Sequence, residues 1–131
     1  MARLLHSQPY NTTYDPPFPE IDFVLANITT GDKTDSLRGL IDSGSDCCLI
    51  PNKILKAINL VPLEKQFVRG ISGPAYQLDL YFAQLTIGGF VLPSIQIMGR
   101  NNSEEIILGR NVLNNFEITL NGLASVTEIK G

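Results

Sequence analysis

Histidine and cysteine are scarce in this chain, and the scarcity removes most hydrolytic chemistries. The only histidine is His6, set in a polar N-terminal stretch. A serine or cysteine nucleophile therefore lacks its base, and a histidine-based zinc site lacks its ligands. The two cysteines are neighbours, Cys47 and Cys48. They are badly placed to bridge each other and far too few for a disulfide scaffold or a zinc cage. They read as core or half-buried thiols on a strand, and Cys47 has no identifiable activating partner. No metal and no cofactor are expected.

Charge and hydropathy exclude further classes. Ten basic against thirteen acidic residues give a net charge of −3, with no Lys/Arg cluster, so the electrostatic footprint of a nucleic-acid binder is missing. No apolar run approaches the ~18 residues needed to cross a membrane, and no membrane partner is expected. The stretch Met1 to Gln8 has too little apolar length for a secretory signal, which makes a cytoplasmic protein the expectation. The Asn-x-Ser/Thr triplets at Asn11, Asn27 and Asn101 then mean little.

What is present is a single mostly-β domain. A chain of 131 residues, 44% apolar, is large enough to bury one real core but not two. Residues 1–19 carry Pro9, Pro16, Pro17 and Pro19 without sustained periodicity and read as an extended polar arm, leaving 20–131 as the domain. Ile21 to Ile28 is the first strand signal, closed by Gly31-Asp32-Lys33 and expected to form a hairpin with Leu37 to Ile41. Cys47 to Ile50 reads as a short buried strand. Pro51, Ile54, Leu55, Ile58 and Asn59 then mark a short helix, with Pro51 at its first position and Asn59 closing it in the left-handed region. Two β-prone arms surround the tip Gly70-Ile71-Ser72-Gly73-Pro74. Leu78 to Thr86 alternates, Ile87-Gly88-Gly89-Phe90 turns, and Val91 to Met98 resumes. Val112, Leu113 and Phe116 share one helical face about two turns long, with Asn111 as its expected cap. Glu117 to Leu120 and Val126 to Ile129 read as a closing hairpin across Asn121-Gly122.

Two stretches carry the chemistry. In Leu40-Ile41-Asp42-Ser43-Gly44-Ser45-Asp46, an apolar run delivers a carboxylate to a sharp turn. In Ile106-Ile107-Leu108-Gly109-Arg110-Asn111, a second apolar run ends in Gly. An Asp-Ser-Gly alone is usually just a turn. Flanked by the strand before it, the acidic Asp46 after it, the Gly-tipped hairpin and the Leu-Gly-Arg-Asn element in this order, the chain over about residues 20–123 resembles the retropepsin-like aspartic peptidases. The short helix after the first motif is a feature of several cellular relatives, and viral members usually lack it.

That resemblance implies an acid-protease barrel with one or two short helices, assembled as a symmetric homodimer because each chain holds one Asp-Ser-Gly. It implies Asp42 as the catalytic carboxylate, Ser43 bonding across the two-fold axis, Gly44 letting the backbone approach the carboxylate, and an Asp46–Arg110 ion pair that fixes the loop. Gly109 and Asn111 belong to the second motif, and Gly70, Ile71, Ser72 and Gly73 would be a flap closing over peptide. The terminal segments Ile21 to Leu25 and Val126 to Ile129 are the implied dimer interface. The expected function is an aspartic endopeptidase acting on extended polypeptide in a largely apolar groove. The rival reading is a catalytically idle dimeric peptide-binding or scaffold module on the same fold.

Overall fold

The computed structural model describes residues 2–68 and 76–131. Ten strands and two short helices follow in the order β1 (Leu4–Pro9), β2 (Glu20–Ala26), β3 (Leu37–Ile41), β4 (Cys48–Pro51), α1 (Asn52–Ala57), β5 (Glu64–Val68), β6 (Tyr76–Ile87), β7 (Phe90–Arg100), β8 (Ile107–Leu108), α2 (Arg110–Leu113), β9 (Glu117–Asn121) and β10 (Val126–Lys130). Among them, no helix is long and apolar enough to cross a membrane.

Most of these elements sit where the pattern predicts them. β2 and β3 are joined by the predicted hairpin, in register Glu20↔Leu40 to Phe23↔Leu37. The longest hairpin, β6–β7, turns on Gly88 and Gly89, whose φ values of 52° and 81° are the two successive left-handed residues that a tight hairpin turn requires. Just past α1 and its C-cap Ile58, Asn59 has φ of 62°, the left-handed closure that asparagine tolerates better than most residues. Pro51 differs slightly from expectation: it is the N-cap of α1 and still belongs to β4.

Seven strands make the main sheet, ordered β2-β3-β8-β4-β7-β6-β5, and β6 returns to pair with β2. That last pairing, Val24↔Thr86 to Ala26↔Gln84, closes a barrel, and among the described residues β5 stays at its margin, paired only with β6. Inside lie Ile21, Phe23, Leu25, Ile50, Leu55, Tyr81, Leu85, Ile87, Ile97, Leu108, Val112 and Ile129. A smaller cluster of Leu78, Leu80 and Met98, backed by Cys47 and Leu49, packs separately across β4, β6 and β7.

A three-stranded sheet, β1-β10-β9, holds the chain ends. Within the N-terminal arm, β1 pairs antiparallel with β10 from Leu4↔Lys130 to Pro9↔Val126. Its sequence shows no alternation because it is held by main-chain pairing rather than by a buried apolar face.

Two expectations need correction. In the interface segments inferred from the resemblance, the inward-facing residues are interior in this chain and the alternate ones, Asp22, Val24, Val126 and Glu128, are half-buried. Ile21, Phe23 and Leu25 are at most 2% exposed, and β2 is paired on both sides by β3 and β6. β10 is likewise flanked by β1 and β9, with Ile129 buried. The helix after the second motif is also shorter than its apolar spacing suggests. α2 spans a single turn whose N-cap is Gly109, and Asn111 lies within it.

Candidate active site

Asp42 lies one residue beyond the end of β3, where parallel pairing with β8 (Leu40↔Ile107, Ile41↔Leu108) runs out. Its own N–H still bonds the Leu108 carbonyl at 3.1 Å, so the ladder carries the residue into place before the chain turns. The turn is then closed locally. The Ser45 N–H donates to the Asp42 carbonyl at 3.1 Å, and the Gly44 N–H donates to Asp42 Oδ1 at 2.9 Å. Asp42 is half-buried, and Ser43 and Gly44 are exposed. Among the described residues, Asp42 makes no ion pair. A carboxylate that is aimed by a backbone donor, reachable from solvent and uncommitted to a cation is free to engage a ligand.

The second motif braces this loop from below. Gly109 is there for close approach: a Cβ at this position would come within 2.7 Å of the Cys47 carbonyl carbon and 2.8 Å of its nitrogen. Arg110 then binds the loop three ways. Its N–H donates to the Ser45 carbonyl at 2.9 Å, its Nη1 donates to the Ser43 carbonyl at 2.8 Å, and its Nη2 pairs with Asp46 Oδ1. The structure thus joins Arg110 and Asp46, the contact on which the sequence alignment to the resembled family could be checked. Ser43 and Ser45 as main-chain acceptors for Arg110 were not foreseen. No sequence signal marks them, because a carbonyl acceptor exists at every residue.

Asn111 supports the site from the barrel side. Its Nδ2 donates to the Gln96 carbonyl at 2.9 Å, and its Oδ1 accepts from Cys48 Sγ at 3.5 Å. It thereby links the second motif, β4 and β7. Burial pushes the Cys48 thiol up to about 12 and also raises Cys47, with the Asp46 charge adding to it. Both thiols are therefore protonated at neutral pH and are poor nucleophiles, in keeping with their reading as packing residues. The predicted flap residues Gly70, Ile71, Ser72 and Gly73 lie outside the described residues.

Comparison with known proteins places this geometry. The aspartyl protease family profile matches residues 26–112, a span that contains both motifs. A retropepsin-like aspartic protease from Rickettsia conorii shares the fold with a TM-score of 0.65 at 10% identity, over 99% of this chain and 94% of its own. The retroviral protease-like domain of Ddi1 from Leishmania major superposes with a TM-score of 0.50 at 8% identity, over 81% of this chain and 82% of its own. No curated protein sequence matches. The structural likenesses speak for the architecture and the profile match speaks for descent: the chain belongs to the aspartyl protease family and has the retropepsin-like fold.

Proposed function

We propose that this chain is an aspartic endopeptidase whose active form is a symmetric homodimer, each copy contributing Asp42 to one catalytic pair. The observation that carries the reading is the presentation of Asp42: half-buried at a strand end, oriented by the Gly44 N–H, and spared any cationic partner among the described residues.

In the proposed dimer, two carboxyls held about 3 Å apart share one proton, as they do in aspartic proteases generally. The ionised carboxylate takes a proton from a water lying between them. That water's oxygen attacks the scissile carbonyl carbon while the protonated carboxyl gives its proton to the carbonyl oxygen. The tetrahedral diol then collapses: the C–N bond breaks, a proton passes from a carboxyl to the leaving nitrogen, and a new carboxyl end is released. Ser43 would bond across the two-fold axis and Gly44 would orient Asp42. Arg110, gripping Asp46 and the Ser43 carbonyl, would hold the loop against displacement. Gly109 and Asn111 would support it from beneath, and Gly70 to Gly73 would cover an extended, largely apolar peptide.

Purified chain should cleave an unstructured protein at mildly acid to neutral pH. Asp42→Asn should abolish that cleavage while leaving the sedimentation behaviour of the wild type unchanged. Equal cleavage by the variant removes Asp42 from the mechanism. A stable dimer that captures peptide without ever cutting it would favour the idle binding module.

A further inference from the structure

Strand alternation sorts the residues around Asp42 onto two faces. Gly39 and Ile41 point into the barrel: a Cβ on Gly39 would meet Leu108 and Phe23, and Ile41 packs against the main core. Arg38, Leu40 and Asp42 therefore share the outer face. Register extends that face to both neighbours of β3, since Leu40 sits opposite Glu20 on β2 and opposite Ile107 on β8. Glu105, two positions before Ile107, falls on it by the same alternation. The ion pairs agree, because Arg38 reaches both Glu20 (3.8 Å) and Asp22 (3.9 Å).

An apolar side chain on an outer face is ordinarily open to solvent, yet Leu40 is only 6% exposed and belongs to neither buried cluster. The N-terminal arm lies on this face. Pro19 extends β2 backwards by one pair, its carbonyl accepting from the Ile41 N–H at 3.1 Å. Before it, Asn11 and Phe18 exchange both main-chain bonds, at 2.8 and 3.1 Å, and close residues 11–18 into a hairpin. Two ties hold the hairpin down. On the β2 side, the Asn11 amide donates to Glu20 Oε2 at 3.2 Å. Towards β8, the Tyr14 hydroxyl donates to Glu105 Oε2 at 2.7 Å, and its ring leans on Phe18 with centroids 5.4 Å apart. Leu40, on the strand between, lies between the ties. The Glu105 bond pushes the Tyr14 hydroxyl up to about 12, so it remains a donor at neutral pH.

We propose that this hairpin is a specificity strap: by covering Leu40 it leaves room beside Asp42 only for small side chains, so the protein cuts between residues such as glycine, alanine and serine. The inference rests on the endopeptidase of the proposed function and names its substrate class. Two residues along a strand span about 7 Å, which makes Leu40 the floor nearest Asp42 on this face. A side chain flanking a scissile bond held at Asp42 projects onto that floor. Bare, Leu40 and Ile107 would offer an apolar seat to leucine or phenylalanine. Strapped, they do not. In a symmetric dimer each copy covers one flank of the cut, so both flanking positions are restricted alike. Tyr14 sets the restriction, and Glu105 positions Tyr14.

Cleavage sites in an unstructured protein, mapped by mass spectrometry, should fall between small residues. Matched peptides differing only at the two flanking residues measure the preference: an alanine pair should exceed a leucine pair in kcat/KM by at least about tenfold, the lower end of what a methylene is worth in a pocket. Tyr14→Ala should erase that ratio by raising the rate on the leucine pair. Tyr14→Phe and Glu105→Ala, which break the tie but keep an aromatic ring, should shift it in part. If Tyr14 were merely structural, its loss would slow all peptides together and leave the ratio unchanged. That result would overturn the strap, as would a wild type that favours the leucine pair. Coverage is measured without catalysis. Leu40→Cys should react with a maleimide several-fold faster when Tyr14→Ala is also present, after subtracting the labelling of chains that keep Leu40. Equal rates would overturn the strap. The two proposals fail separately. Cleavage with no preference for small residues would sink the strap and leave the endopeptidase standing. Labelling relieved by Tyr14→Ala in a protein that cuts no peptide would uphold the cover over Leu40 and sink the endopeptidase on which the preference rests.

Discussion

Removal of the Arg110 guanidinium should separate stability from activity. In the structure this group makes two side-chain contacts with the Asp42 loop: the ion pair with Asp46 and the 2.8 Å bond to the Ser43 carbonyl. The ion pair is open to solvent, with side-chain exposures of 45% for Arg110 and 86% for Asp46. Pairs this exposed contribute only about 0–1 kcal/mol. Adding the bond to Ser43, Arg110→Ala should cost the fold about 1–2 kcal/mol, a fall in Tm on the order of 4–8 °C for a chain of this size. The loop, however, loses the contacts that hold Ser43 and Asp46 together, and a displacement of about 1 Å at a catalytic group is enough to cost roughly 100-fold in rate. Asp46→Asn is the comparison that isolates the cause. It weakens the ion pair but leaves Arg110 bonded to the Ser43 carbonyl, so its loss of kcat should be much the smaller. Arg110→Lys should fall between, since an ammonium has no planar fork to serve both acceptors at once. Peptide cleavage rates, paired with urea unfolding of each variant, provide the measurement. Equal activity in Arg110→Ala and Asp46→Asn would refute a role for the Ser43 contact, and wild-type activity in Arg110→Ala would refute the loop clamp altogether.

Two further outcomes follow from buried groups. Asn52 is 4% exposed, accepting from the Tyr81 hydroxyl at 2.9 Å and donating to Asn101 Oδ1 at 2.9 Å. Asn52→Ala would strand a hydroxyl in the core and should cost about 2–3 kcal/mol by urea unfolding. Tyr81→Phe should cost about 1 kcal/mol, and the double variant should lose measurably less than the sum; strict additivity would deny the link. The buried thiols set an alkaline limit. In the fold Cys48 stays protonated up to about 12 against an ordinary value near 9, whereas in the unfolded chain it ionises from about 9 upward. The unfolded state then binds fewer protons, so stability is unaffected below that point and falls as pH rises, by about 1.4 kcal/mol per pH unit for this thiol. Comparing Cys48→Ala with wild type between pH 9 and 10 should show that slope reduced. An unchanged slope would mean the thiol ionises in the folded chain.

Local chemistry made much of the architecture legible from the residues alone. Gly88-Gly89 marked the β6–β7 turn because only residues that accept positive φ can make it. Asn59 marked the end of α1 for the same reason. Alternation along Leu78 to Thr86 and the pairing of Glu117 to Leu120 with Val126 to Ile129 also appeared in place. The Asp42 turn and the Leu-Gly-Arg-Asn element were readable because both depend on near neighbours and on glycine at fixed offsets. Local pattern misled where a side chain found a remote partner. Asn111 has the composition of a helix cap, yet it lies inside the one-turn α2, whose N-cap is Gly109, and its side chain reaches the Gln96 carbonyl.

Residue order alone therefore determined that the chain would be mostly β and would present a turn-borne carboxylate, since periodicity, turn preferences and motifs are properties of short stretches. Closure of the barrel was decided only in three dimensions. It set β2 between β3 and β6 and turned two serine carbonyls toward Arg110, while the chain ends met in a separate sheet that holds β10 between β1 and β9. Those outcomes depend on which distant segments meet, and main-chain groups, identical at nearly every residue, carry no mark in the sequence of the partner they will find.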